Sequence, residues 1–214
     1  MSDEKATKLE PKTEYSFKTA KVKPLKKGGY FMELIYDKIH TDENGKVSVT
    51  PVTEEPPFHP HKDLFQALKL MVPHMMLETD FMSLDQVNKA YFEKKEILKD
   101  TETTESFKVT GIHLKETKGV NYVVLVGRRI LKNKKVLNLS PLFNISNFED
   151  GYPYAENLSK LVDNFLDEVG EYTEGKHAPD AQLKMFAEEG KAEAKSDEAT
   201  EASIAPAKKA KKAS

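Results

Sequence analysis

The chain has no cysteine, and only two of its 33 cationic residues, Arg128 and Arg129, are arginine. Without cysteine there can be no disulfide and no thiolate-bound metal. No run approaches the roughly 18 apolar residues needed to cross a bilayer. The opening MSDEKATKLEPK lacks the apolar stretch of a secretory signal. A cytoplasmic location is therefore expected. Hydrophobic residues make up 38% of the chain and charged residues 32%, which suits a modest core with solvated ends. Phosphate-loop, nucleophile-elbow and His-Glu-x-x-His patterns are all missing. The expectation is a non-enzyme with no catalytic residues, no metal and no cofactor.

What is present is unevenly laid out. Between Lys12 and Phe148 there are 22 cations and 17 carboxylates; between Glu149 and Glu201 there are 5 and 15. A mildly basic body therefore leads into an acidic C-terminal third.

The chain also reads as one pattern written twice. Ser16-Phe17-Lys18 recurs as Ser106-Phe107-Lys108, each opening an extended run. A Lys/Gly turn follows (26–29, 116–119), then an apolar strand, YFMELIYDKI or NYVVLVGRRIL. A polar turn leads to a third strand, KVSVTP or KVLNLSP. The Asn44-Gly45 turn is a hairpin signal, and each third strand is expected to stop at its proline, Pro51 or Pro141. Helices follow, with Leu64, Ala67, Leu68, Met71, Val72 and Met75 matching Leu158, Leu161, Val162, Phe165, Leu166 and Val169 at the same helical spacing. Pro73 should shorten the first helix. Ser83 and Gln86 form a capping box for an extra helix over about 83–98.

The predicted fold is α+β: duplicated βββα meander-plus-helix units forming one domain over residues 12–176. Repeat one covers about 12–80 and repeat two about 105–174. A flexible segment 1–11 precedes the domain and a disordered tail 177–214 follows it. The helices should cover one face of the sheet and leave the other to a partner.

Candidate site residues come from the strands and turns. Lys18, Lys21, Lys23, Lys26 and Lys27 in the first half are comparable to Lys108, Lys115, Lys118, Lys132, Lys134 and Lys135 in the second. Arg128 and Arg129 point to opposite faces of their strand, so one of them can reach a ligand. Aromatics interleave with these cations: Phe17, Tyr30, Phe31, Tyr36, Phe107 and Tyr122. Tyr30 and Tyr122 are the stacking candidates. Cations following phosphates and rings stacking on bases are what a single-strand binder needs. His59, His61, Asp63 and His74 form a possible ligand cluster, but a rigid turn before a helix explains the first three equally well.

The tail carries one apolar island, Gln182-Leu183-Lys184-Met185-Phe186. It resembles the Gln-Leu-x-Leu-Phe peptide by which bacterial replication proteins dock on the sliding clamp. Gln182, Leu183 and Phe186 match, and Met185 stands where leucine is usual. A basic β-rich body with an acidic tail and a docking point resembles phage and bacterial single-stranded-DNA-binding proteins. Two features depart from them: the tail ends in lysines, and the repeat is nearer the meander-plus-helix units of Whirly and PUR-type binders. The resemblance implies sequence-nonspecific binding of single-stranded DNA, or RNA, in replication or recombination, with a clamp as tail partner. The alternative is a protein-interaction or virion-associated structural protein.

Overall fold

The computed structural model describes residues 10–25, 28–80, 83, 105–146 and 152–179. It is a mixed α+β fold built on one large antiparallel sheet. The strands are β1 (Lys12–Pro24), β2 (Tyr30–Thr41), β3 (Val47–Glu54), β4 (Phe107–Thr117), β5 (Val120–Ile130), β6 (Val136–Leu139) and β7 (Leu142–Asn144). Among the described residues the helices are α1 (Lys62–Leu70), α2 (Val72–Glu78) and α3 (Ala155–Thr173). Strand order is β3-β2-β1-β4-β5-β6, with β7 also on β5. No helix among the described residues is long and apolar enough to cross a membrane.

The two hairpins meet where β1 and β4 pair, at Thr19 with His113, Ala20 with Ile112 and Lys21 with Gly111. Gly111 makes that approach possible. A Cβ at this position would lie 2.4 Å from the Ala20 carbonyl oxygen and 2.6 Å from the Lys21 Cα. Both strands carry a bulge beside the seam, between Phe17 and Thr19 in β1 and between Val109 and Gly111 in β4. An extra residue shifts the alternation of faces. Tyr15 and Phe17 therefore share the core side with Ala20 and Val22, and Phe107 and Val109 share it with Ile112 and Leu114.

The turns have a common chemistry. In the β2–β3 turn Asp42 N donates to Lys46 O and Gly45 N to Asp42 O, with Gly45 at φ 76°. In the β5–β6 turn Leu131 N donates to Lys135 O and Lys134 N to Leu131 O, with Lys134 at φ 62°. The Asp42 carboxylate also accepts from Asn44 N and Lys46 N, and Asn133 Oδ1 accepts from Lys135 N.

Two expectations about proline are answered differently. Pro73 falls at the start of α2, and the helical face breaks at Met71 into α1 and α2. Pro51, however, does not end the third strand: β3 continues to Glu54, with Pro51 opposite Asp37. β3 lies at the sheet edge, where a missing N–H costs no ladder bond. On the other edge Ser140-Pro141 separates β6 from β7, but β5 keeps one register through both.

The helices cross over the seam. α1 and α2 pack on β4, α3 packs on β1, and α1 packs on α3. Their apolar stripes bury Leu64, Leu68, Met71, Met75, Leu158, Val162, Phe165 and Val169 against Met32, Leu34, Ile112 and Leu125. The expected stripe residues Leu161 and Leu166 are partly buried at its margin. Beyond α3 the chain stays attached past the predicted end of the domain at 176. Ala178 N donates to His59 O, and Pro60 pairs with His177. The expected helix over 83–98 and the tail from 180 lie outside the described residues.

Gly111→Ala should lower stability by about 1–3 kcal/mol, because backbone at the seam must move to admit the methyl group. Gly170→Ala, in α3 with nothing within 4 Å of its missing Cβ, should raise it by about 0.5–1 kcal/mol. Urea midpoints at constant slope measure both.

Candidate nucleic-acid interface

Alternation along the strands assigns one face to α1, α2 and α3; among the described residues no helix packs on the other. Tyr30, Met32, Leu34 and Tyr36 of β2 are buried on the helix side, so Phe31, Glu33, Ile35 and Asp37 line the open side. Register then places Lys23, Lys21, Thr19 and Ser16 of β1 beside them. Across the seam the same face carries His113 and Lys115 of β4, opposite Val124 and Tyr122 of β5. Each hairpin thus sets one lysine directly across from one ring: Lys23 from Phe31, and Lys115 from Tyr122. All four side chains retain solvent exposure.

Carboxylates on β2 temper part of this charge. Lys18 pairs with Asp37 at 2.7 Å and Lys23 with Glu33 at 2.8 Å. Lys21 and Lys115 instead flank His113, whose Nδ1 lies 2.9 Å from Thr19 Oγ1. Burial lowers the His113 pKa from its ordinary 6.5; Lys21 adds to this, Glu33 opposes it and Lys115 adds again. At neutral pH the ring is therefore uncharged, and the two lysines supply the cationic character at the centre of the face.

Several expected site residues are placed elsewhere. Tyr30 is 2% exposed and packs its ring against Phe65 of α1 at 5.0 Å, so it is a core residue and not a stacking platform. Burial of Tyr30 follows from its place on the helix side of β2; the exposed neighbour is Phe31. Lys108 is half-buried, with its ammonium 5.1 Å from the Tyr30 ring centroid. Arg129 turns to the helix side, 5.1 Å from the Phe107 ring. Arg128 alternates to the other face but is only 5% exposed, so it does not present a solvent-facing cation. Phe17 and Tyr36 pack with Tyr15 in an aromatic cluster attached to the core. Lys118 is exposed at the β4–β5 turn with φ 55°, and Lys132, Lys134 and Lys135 are exposed at the β5–β6 turn. Lys26, Lys27, Gln182, Leu183, Met185 and Phe186 lie outside the described residues.

Thr19 and His113 enter the face without having been singled out as site residues, and Phe31, named among the interleaving aromatics, takes the place expected of Tyr30. The signal for Phe31 was present in its alternation with Tyr30, but the pattern alone does not say which of the two faces water.

The histidines of the possible ligand cluster serve the fold. His59 Nδ1 accepts from Tyr30 N at 3.1 Å, and its ring fills the space a Cβ on Gly29 would need. His61 caps α1 through the Asp63 N–H and sits 3.0 Å from the Asp63 carboxylate. Lys176 joins that carboxylate to Glu168 and Glu171 of α3, whose hydrogen bonds hold its ammonium above its ordinary pKa. Among the described residues no three His, Asp or Glu side chains are grouped to hold a metal ion.

His74 is fully buried, with Nδ1 2.8 Å from the Tyr152 hydroxyl and Nε2 3.0 Å from Asn157 Oδ1. Burial pushes its pKa down from 6.5 to about 4, the Asn157 contact opposing. Comparison with known proteins adds no relative: no family model, no curated protein and no solved structure matches the chain.

The depressed His74 pKa has a defined sign. The unfolded chain takes up the proton first as pH falls, so stability from the neutral buried ring is complete above about 6.5. It should then fall by about 3 kcal/mol in all as pH drops to 4. Urea midpoints at several pH values check this, and His74→Gln should flatten the slope. A profile flat from pH 7 to 4 in the parent protein would contradict a neutral buried imidazole.

Proposed function

We propose that the open face of the sheet binds single-stranded nucleic acid, DNA in replication or recombination, without sequence preference. The observation that carries this is the pair of lysine–aromatic couples, Lys23 with Phe31 and Lys115 with Tyr122. Strand spacing and rise put the couples roughly 25 Å apart diagonally across the seam. Between them lie Lys21, Thr19 and His113. A flexible strand crossing that diagonal would stack a base at each end and pass its phosphates over lysines between. Stacking does not distinguish bases, which suits a site with no base-edge readers. The lysines at the turns, Lys118, Lys132, Lys134 and Lys135, extend the attraction beyond the couples.

The chain is also read as a duplicated βββα unit. The strand order is symmetric about the β1–β4 seam, both first strands are bulged, and the β2–β3 and β5–β6 turns bond alike. Aligning the bulges sets Lys18 with Thr110, hence Tyr15 with Phe107 and Phe17 with Val109. That is two residues away from the match of Ser16 with Ser106. On the same alignment Ala20 and Ile112, which pair with each other, are counterparts, and Lys23 is the counterpart of Lys115.

Binding is measured by fluorescence anisotropy with labelled single- and double-stranded oligonucleotides over a salt series. Single strands should be preferred, and affinity should fall steeply with salt as counterions are released. Phe31→Ala and Tyr122→Ala should each weaken binding about tenfold or more with little change in melting temperature. Absence of binding at low salt, or preference for duplex, would replace this reading with a protein-docking or virion-associated structural role for the face.

The tail peptide is proposed to recruit a replication partner, with a sliding clamp as the leading candidate, on the sequence of Gln182, Leu183, Met185 and Phe186 alone. An extended peptide of this kind fills pockets with its apolar side chains. Leu183→Ala with Phe186→Ala should abolish clamp capture and leave DNA affinity unchanged; retained capture would remove the proposal.

A further inference from the structure

We infer that the free edge of β3 pairs with the same edge of a second copy of this chain, antiparallel, about a two-fold axis at Thr50. β3 begins the strand order, with β2 as its neighbour; no described strand pairs with its outer edge, and Val47 to Pro51 are exposed. Val47 and Val49 are each 57% exposed, and Ser48 and Thr50 are exposed beside them. An exposed strand edge is a template for another strand unless charge, proline, brevity or a covering element blunts it. The opposite edge of the sheet is blunted in this way. β6 has four residues, is cut off from β7 at Pro141, and is entered through Lys132, Lys134 and Lys135. β3 is twice as long and has no cation; of the blunting devices it carries Pro51 within the strand and Glu54 at its end.

The charge at the two ends of β3 selects both the occupant and the register. Lys46 immediately precedes the strand and Glu54 ends it. In an antiparallel pairing of two copies centred on Thr50, Lys46 of each copy faces Glu54 of the other. Val47 then faces Thr53 of the second copy, and Val49 faces Pro51. Centring one residue earlier would set Lys46 against Val52 and leave both ends unmatched. The unit is thus self-complementary, as a two-fold contact requires. Pro51 has no N–H, so the ladder forgoes one bond per copy while its carbonyl remains an acceptor. Because the axis runs perpendicular to the sheet, both open faces lie on the same side. Two chains would present four lysine–aromatic couples on one continuous surface. The contact itself does not depend on what that face binds. A strand-edge contact is small beside the roughly 1,200–2,000 Å² of a stable interface, so the dimer should depend on concentration.

Absence of cysteine from the chain makes the test direct. Oxidised Thr50→Cys should run as a covalent dimer on a non-reducing gel, because the two Thr50 positions face each other. Ser48→Cys should stay monomeric: its two copies would lie roughly 13 Å apart along the strands, beyond disulfide reach of about 7 Å. Sedimentation equilibrium of the parent chain should show a monomer–dimer equilibrium. Lys46→Glu should weaken it about tenfold, and Lys46→Glu combined with Glu54→Lys should restore it. Glu54 also accepts a hydrogen bond from the Tyr36 hydroxyl, so melting curves of the double variant separate loss of fold from loss of contact. A parent chain that remains monomeric at every concentration, or equal cross-linking at Thr50→Cys and Ser48→Cys, overturns the proposal. So does a folded double variant that does not regain the dimer.

Discussion

Three residue pairs hold the molecule together: Thr19 with His113, Ala20 with Ile112, and Lys21 with Gly111. On either side lies a hairpin with one further strand, and neither meander has a core of its own to close on. Three strands and a helix are near the lower limit for independent stability. Joining at β1 and β4 makes one wide sheet, and the helices complete the union by crossing it: α1 and α2 lie on β4 while α3 lies on β1. Each half thereby supplies the cover for the other. The seam needs a residue without a side chain at 111, because the Ala20 carbonyl occupies the space a methyl group would take.

The same seam arranges the chemistry of the open face. Its middle is occupied by Lys21, Thr19 and His113, brought together from strands more than ninety positions apart in the chain. Lysine–ring couples flank it on both sides, one per hairpin. The opposite face has no such freedom, since the aromatic and aliphatic residues there are spent against helices. Histidine illustrates the division. His59, His61 and His74 carry hydrogen bonds that hold a turn, a helix start and a buried polar pocket, whereas His113 stands among lysines on the face turned away from α1, α2 and α3.

Much of the architecture was legible from periodicity. The helical stripe of Leu158, Val162, Phe165 and Val169 is buried, and Pro73 breaks the first helix where proline should. Pro51 misled because proline excludes only central strands, and whether a strand is central depends on what pairs beside it. Alternation puts Arg128 and Arg129 on opposite faces of β5, yet burial removes Arg128 from solvent and Arg129 lies over the Phe107 ring on the helix side. Tyr30 and Phe31 show the same limit: adjacent rings in one strand must part company, but nothing local states which one goes to the core.

The sequence by itself determined the order of strands, turns and helices and the separation of each strand into two faces. These follow from short-range steric and hydrogen-bonding preferences that neighbouring residues carry with them. Only the tertiary structure decided which face is covered, that β1 lies against β4, and that bulges at Lys18 and Thr110 switch the alternation in mid-strand. Those outcomes depend on contacts between distant segments, above all the close approach at Gly111, and such contacts leave no periodic trace in either segment alone.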